Sequence, residues 1–372
     1  MDYPAFCIDN LEITWSTVVV ALGVIAAVLL MLGLFPEKHG KRRVVFSLPF
    51  ALVFSFLLAR LIHYYCNAEQ YKSLQKAFFD FSTGSFCFTG VVAGCALAVG
   101  LTKIICKKSS VALLSALYAI GLCPVLILAR LSMIFGNGCR AKLVIKDERY
   151  FGLPFSTEVF LEGNSIGHYL ALFFWSAAAL ALVLALSLGF WFINAGKVQK
   201  RREYGHSALF TMSVFSAFEI VTDSMRYDKS FLRSNGFVSH AEIFYACILL
   251  GIFVFCNIRM VKKNGFRKYY IFIWAAGLIC LVGAGVLEYY VQRRGDLFFV
   301  LYGCMLILLC GMAALNTVAC VLGNRKATDA KPASAGTADE KVPSSGTDKT
   351  EKKQTKKKSS GKKKKKRKKK KR

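Results

Sequence analysis

Residues 14–35 read TWSTVVVALGVIAAVLLMLGLF, a run from Thr14 to Phe35 without one ionisable side chain. The hydrocarbon layer of a bilayer is about 30 Å thick, and an α-helix needs about 20 apolar residues to cross it. The run is therefore long enough to span. The stretch that follows is Glu37-Lys38-His39-Gly40-Lys41-Arg42-Arg43, a short basic loop. Apolar run and basic loop then recur. Further runs lie near 44–65, 84–103, 111–135, 166–194, 207–226, 238–258, 269–289 and 297–322. The pattern predicts nine transmembrane helices in an all-α, polytopic membrane protein. The sixth run is the least apolar, because it contains Glu219 and Asp223.

The composition agrees. Of 372 residues, 55% are hydrophobic, yet 50 Lys and Arg face only 22 Asp and Glu, a formal net charge of +28. The excess is uneven: residues 325–372 hold 21 basic and 5 acidic side chains. One soluble core cannot absorb that much apolar sequence, so a soluble enzyme and an ordinary nucleic-acid binder are both excluded as the main reading. From Lys352 onward the chain is nearly all Lys, Ser, Gly and Thr and is expected to be disordered. Its simplest partner is anionic lipid at the membrane surface; nucleic acid is the rival.

The basic loops set an orientation. Loops one, three, five and seven (37–43, 103–108, 197–202, 259–268) are rich in Lys and Arg, and such loops stay in the cytoplasm. Residues 1–12 hold Asp2, Asp9 and Glu12 and no basic residue, unlike the start of a cleavable signal. The expected topology has the N-terminus outside and the tail inside. The Arg293-Arg294 turn alone dissents. The longest interior connection, about 136–165, then forms a small extracytoplasmic cap. The chain divides into a core at 1–260, two further helices at 261–324 and the tail at 325–372. Thirteen cysteines are scattered, without a CxxC pair or metal-like spacing, and read as packing residues. His168 and His240 read as interfacial residues at outer helix ends.

Ionisable residues inside the spans share a depth. Arg60 and His63 lie in the outer third of helix two, Arg130 near the outer end of helix four, and Glu219, Asp223 and Arg226 in the outer half of helix six. The last three stand at i, i+4 and i+7, on one helical face. Charges at that depth are costly unless paired, so a shared polar cavity is expected. Arginines at head-group depth suit a phosphate-bearing ligand, because the guanidinium fork matches phosphate oxygens. Snorkelling anchors are the plainer alternative.

Several segments carry a family resemblance. They are Ile13-Thr14-Trp15; Leu58-Ala59-Arg60-Leu61; Gly84-Ser85-Phe86-Cys87-Phe88-Thr89-Gly90 with Val91-Val92-Ala93-Gly94; Ala129-Arg130-Leu131 with Gly136-Asn137-Gly138; Phe215 to Arg226; and Gly236-Phe237-Val238-Ser239. In order and topology, over about residues 11–258, they resemble the bacterial prolipoprotein diacylglyceryl transferases. That family moves the diacylglyceryl group of phosphatidylglycerol onto the lipobox cysteine of a prolipoprotein, at the outer face of the cytoplasmic membrane. It uses neither metal nor organic cofactor.

The resemblance implies catalytic roles for Arg130 and Asp223, and Glu219, on the same helical face as Asp223, is the third catalytic candidate. Arg130 would bind the phosphate, and Asp223 would serve as base or as an arginine partner. It implies substrate binding by Arg60, Asn137, Arg226, Gly90 and Tyr169. The departures are specific. Phe88 stands where the family has His or Tyr, Glu219 where it has arginine, Leu170 where a glutamate follows the tyrosine, and Met133 within a shortened signature loop. Two other readings stay open: a diverged relative that acts on another lipid-linked substrate or only binds lipid, and a transporter. The inner halves of the spans read as almost purely apolar, which speaks against transport.

Overall fold

The computed structural model describes residues 4–8, 11–35, 41–68, 71, 73, 75, 78, 86–107, 109–135, 139, 141–142, 144–146, 155–161, 164–197, 204–227, 238–294 and 297–323. The basic tail lies outside the described residues. So do Gly84, Gly136, Asn137 and Gly138.

Nine helices among the described residues are long and apolar enough to cross a membrane. They are α1 (Trp15–Leu34), α2 (Arg42–Cys66), α3 (Phe88–Ile105), α4 (Val111–Ser132), α5 (Leu172–Lys197), α6 (Tyr204–Met225), α7 (His240–Asn264), α8 (Tyr270–Arg294) and α9 (Phe298–Leu322). The chain is a multi-pass, all-α membrane protein. Two short antiparallel hairpins accompany the helices: β1 (Pro4–Ile8) with β2 (Leu11–Thr14), and β3 (Ser156–Leu161) with β4 (Asn164–Leu170).

Local chemistry marks several helix starts. Thr14 and Ser110 cap α1 and α4 by accepting from the backbone N–H of Thr17 and Leu113. Ser239 and Glu242 form a reciprocal capping box at the start of α7. Pro49 and Pro124 sit inside α2 and α4, where each removes a backbone donor, and neither helix is interrupted. Lipid solvates apolar side chains on the outer helices, so α1 buries only Gly23, Ala27 and Met31. By contrast α4 and α6 are buried on nearly every face. A helix with no lipid face can carry charge, and these two carry Arg130, Glu219 and Asp223.

The packing is tightest between α2 and α3. A Cβ on Gly90 would overlap the backbone of Ala59, and one on Gly94 would overlap Ser55. Two glycines one turn apart let the helices approach at backbone distance, the small-residue packing that lipid-embedded helices favour. The last helix, α9, packs against α6 and α7 and pairs with α8, so the two final spans join the wall of the same bundle.

One boundary differs from expectation. The fifth apolar run was expected to be helical from residue 166, yet β4 continues to Leu170 and α5 starts at Leu172. Tyr169 therefore lies on a strand, opposite Thr157, rather than at a helix start. Between α4 and α5, Ile145 and His168 exchange backbone hydrogen bonds of 2.7 and 2.9 Å, and Ala141 bridges to Arg226. Gly167 (φ 140°) lies so close to Ile145 that a side chain there would strike its carbonyl oxygen. The expected cap thus includes a β-hairpin, tied to the end of α6. The far halves of the spans are also less uniformly apolar than expected. Asn316 donates to Ser213 Oγ at 3.1 Å, and Ser47 Oγ lies 2.8 Å from the Tyr118 hydroxyl.

Candidate functional site

The C-terminal ends of α2, α4 and α6 meet the N-terminal ends of α3 and α7 at one end of the bundle, and the expected charged residues converge there. Arg130 and Arg60 are each 1% exposed, Glu219 3% and Asp223 4%. Arg130 Nη2 donates to Glu219 Oε2 at 2.8 Å, a buried ion pair between α4 and α6. Its Nη1 reaches Cys139 Sγ at 3.7 Å, and its Nε makes no hydrogen bond among the described residues. Removing one partner of such a pair leaves a bare charge in a low-dielectric interior, so the two stand or fall together.

Asp223 sits one turn further along α6. Its Oδ2 accepts from Ser239 Oγ, and its Oδ1 lies 3.5 Å from Arg226 Nη1. Ser239 Oγ also accepts from the Glu242 backbone N–H at 3.0 Å, so one hydroxyl both starts α7 and ties it to α6. Ser224, the next residue, donates to Glu288 Oε2, and Tyr302 donates to the Ser224 carbonyl at 3.2 Å. Gln292 donates to Glu288 Oε1 at 2.6 Å and accepts from Lys142 of the α4–α5 connection. The final two helices therefore line this cluster.

Arg60 stacks over the Phe86 ring, 4.6 Å from its centroid, and Arg130 stands over Phe88 at 5.4 Å. Phe88, where the resemblance anticipates a polar ring, presents a π-face to the arginine. The Tyr245 hydroxyl is fully buried and has no hydrogen-bond partner among the described residues. It interacts electrostatically with Glu219, Arg130, Cys87 and Asp223.

The sequence-expected residues divide accordingly. Arg60, Arg130, Glu219, Asp223 and Arg226 lie at this end. Gly90 lies at the α2–α3 contact, where its lack of a Cβ is what the backbone of Ala59 requires. Tyr169 belongs to the hairpin. Asn137 lies outside the described residues.

Sequence reasoning missed one arrangement. Cys87, read as a packing residue, has its Sγ 2.8 Å from His240 Nε2 and 2.9 Å from Thr89 Oγ1. Cys87 is the N-cap of α3, just before the span, and its backbone N–H donates to the Ala59 carbonyl at 3.3 Å. Burial disfavours the thiolate, but the His240 and Thr89 hydrogen bonds outweigh it and draw the thiol below its ordinary value. The 153 residues between Cys87 and His240 hide the pair from any spacing argument. Its one visible signal was depth, since both stand at helix ends on the same side of the bundle.

No protein-family model matches the chain, and no curated protein matches it significantly.

Proposed function

We propose that the arginine–carboxylate cluster is the head-group site of a lipid-group transferase that takes the diacylglyceryl group of phosphatidylglycerol and attaches it to the lipobox cysteine of a prolipoprotein. The observation that carries this reading is the burial of Arg60 and Arg130 with Glu219 and Asp223 at one end of the bundle. Guanidinium groups held in a low-dielectric setting suit a leaving phosphate. The positive-inside distribution of the loops supports placing this end outside, at the outer leaflet of a bacterial cytoplasmic membrane, with both the cap and the N-terminus there. The lysine tail then contacts anionic lipid on the inner face.

In this reaction the prolipoprotein thiol loses its proton and its sulfur attacks the glycerol carbon that bears the phosphate. The C–S bond forms, the C–O bond breaks, and glycerol phosphate leaves. Arg130 takes up the departing charge with Arg60 beside it. Asp223, positioned by Ser239, receives the proton.

A second reading has its own support. Glu219 already neutralises Arg130 at 2.8 Å, so an incoming phosphate must compete with a carboxylate. That arrangement suits a protein that binds lipid without transferring it, or one that uses another lipid-linked substrate.

The test is transfer to a lipobox peptide by the purified chain in phosphatidylglycerol vesicles. Arg130→Ala is run beside the double variant Arg130→Ala/Glu219→Leu, which leaves no lone buried carboxylate. Transfer by the wild type that vanishes in both variants supports the enzyme. A folded wild-type chain that binds the lipid without transfer sinks it and leaves the second reading.

A further inference from the structure

We propose that Cys87 and His240 form a nucleophile–base pair that accepts an acyl chain from a glycerophospholipid ester as a thioester on Cys87. This activity is distinct from diacylglyceryl transfer and does not rest on it.

Four observations converge. First, the geometry is that of an activated thiol: imidazole nitrogen at 2.8 Å, with the Thr89 hydroxyl at 2.9 Å on the same sulfur. A thiol with a base in hydrogen-bond reach is the basic unit of cysteine nucleophilic catalysis. Second, Cys87 caps an 18-residue helix, whose N-terminal dipole favours negative charge on the sulfur. Third, the Tyr245 hydroxyl is a buried donor lacking a partner among the described residues, in electrostatic contact with Cys87. An unspent donor on the helix that carries the base, within range of the charge on the sulfur, is what a developing oxyanion needs. Fourth, Cys87 stands just before one membrane span and His240 opens another, and span ends are where the hydrocarbon layer gives way to the ester and head-group region of a lipid. Phe86, next in the chain, is 44% exposed and stacks near the partly exposed Phe56, giving an acyl chain an apolar surface.

The step balances without a co-reactant. His240 Nε2 takes the thiol proton, and the sulfur attacks the ester carbonyl carbon. The C–S bond forms and the carbonyl oxygen carries the charge toward Tyr245. Collapse breaks the ester C–O bond, and the lysophospholipid alkoxide recovers the proton from His240. Water, or a second alcohol, amine or thiol, then resolves the thioester.

The experiment uses the full chain in vesicles of phosphatidylglycerol bearing alkyne-tagged acyl chains. Two products are followed: acyl adduct on the protein by intact mass, and lysophosphatidylglycerol. The expected result is an adduct on Cys87, released by neutral hydroxylamine, with lysolipid formed in step. Both are absent from Cys87→Ala. His240→Gln and Tyr245→Phe each slow lysolipid release at least tenfold, with vesicle binding unchanged. Neither product from a monodisperse wild-type chain, or an adduct on another residue, overturns the proposal. Diacylglyceryl transfer releases glycerol phosphate and leaves both acyl esters intact. Failure of one reaction is therefore distinguishable from failure of the other.

Discussion

Both ends of the bundle hold buried cysteine, half-buried histidine and buried hydrogen-bonding side chains, and they use them differently. At the site end Cys87 stands in front of a helix with His240 against its sulfur, beside a buried arginine–glutamate pair. At the opposite end Cys256 and Cys320 lie inside α7 and α9 in one buried apolar cluster, and His206 and Cys320 line the same small cavity. Asn316 donates to Ser213 and to the Leu249 carbonyl, and Trp274 donates to Asn257 at 3.0 Å. These groups carry no formal charge, and they bond to other neutral side chains and to backbone carbonyls. The same residue types yield chemistry at a helix terminus, where the dipole and formal charges act on them. Mid-helix they yield packing.

The sharpest way to break this contrast is to strip one charge from the site end. Glu219→Leu leaves Arg130 buried and unpaired, and is expected to cost about 3–5 kcal/mol. Thermal melting in detergent reads the loss. Arg130→Met/Glu219→Leu recovers most of it, and a double variant as unstable as the single would refute the pairing argument.

Steric change at the same end comes next. Gly90→Val wedges α2 from α3 and is expected to cost about 1–3 kcal/mol. Gly251→Ala and Gly303→Ala, whose Cβ atoms would meet open space, gain up to about 1 kcal/mol from helix propensity. Equal melting shifts at all three positions would remove the packing role.

The Cys87 thiol sharpens the contrast kinetically. The His240 and Thr89 hydrogen bonds hold its pKa below the ordinary thiol value, so its thiolate persists to lower pH than that of a free cysteine peptide. Iodoacetamide labelling of Cys87 is expected to stay severalfold faster at pH 7 than its profile in His240→Gln, which moves up toward the usual thiol pKa of about 8.5. Coincident profiles would dissolve the pair.

The smallest effect belongs to the opposite end. Asn316→Leu loses two neutral hydrogen bonds inside the membrane, about 0.6 kcal/mol each at most typical sites. Activity at the site end is expected to be unchanged. A melting loss as large as that of Glu219→Leu would mean the two ends are not differently built.

The spans were legible because lipid demands apolar length, and nothing else in the chain imitates a run like Thr14–Phe35. The charged cluster was legible because Arg130, Glu219 and Asp223 each interrupt such a run at similar depth. Tyr169 was misplaced because the end of β4, from Ile166 to Leu170, carries no formal charge and runs directly into the apolar start of α5, and a few strand residues beside a helix show no period of their own. Cys87 was missed because a cysteine in apolar surroundings is usually inert. What distinguishes it is its N-cap position and a histidine that only the fold brings near.

The Ser224–Glu288–Gln292–Lys142 chain has a consequence for biogenesis. Its acid and amide belong to α8, and Tyr302 belongs to α9, which are made after the seven helices before them. A nascent chain inserted only as far as α7 holds Ser224 without the Glu288 and Tyr302 partners that the folded chain gives it. Docking of the α8–α9 hairpin therefore completes the polar enclosure at this end of the bundle.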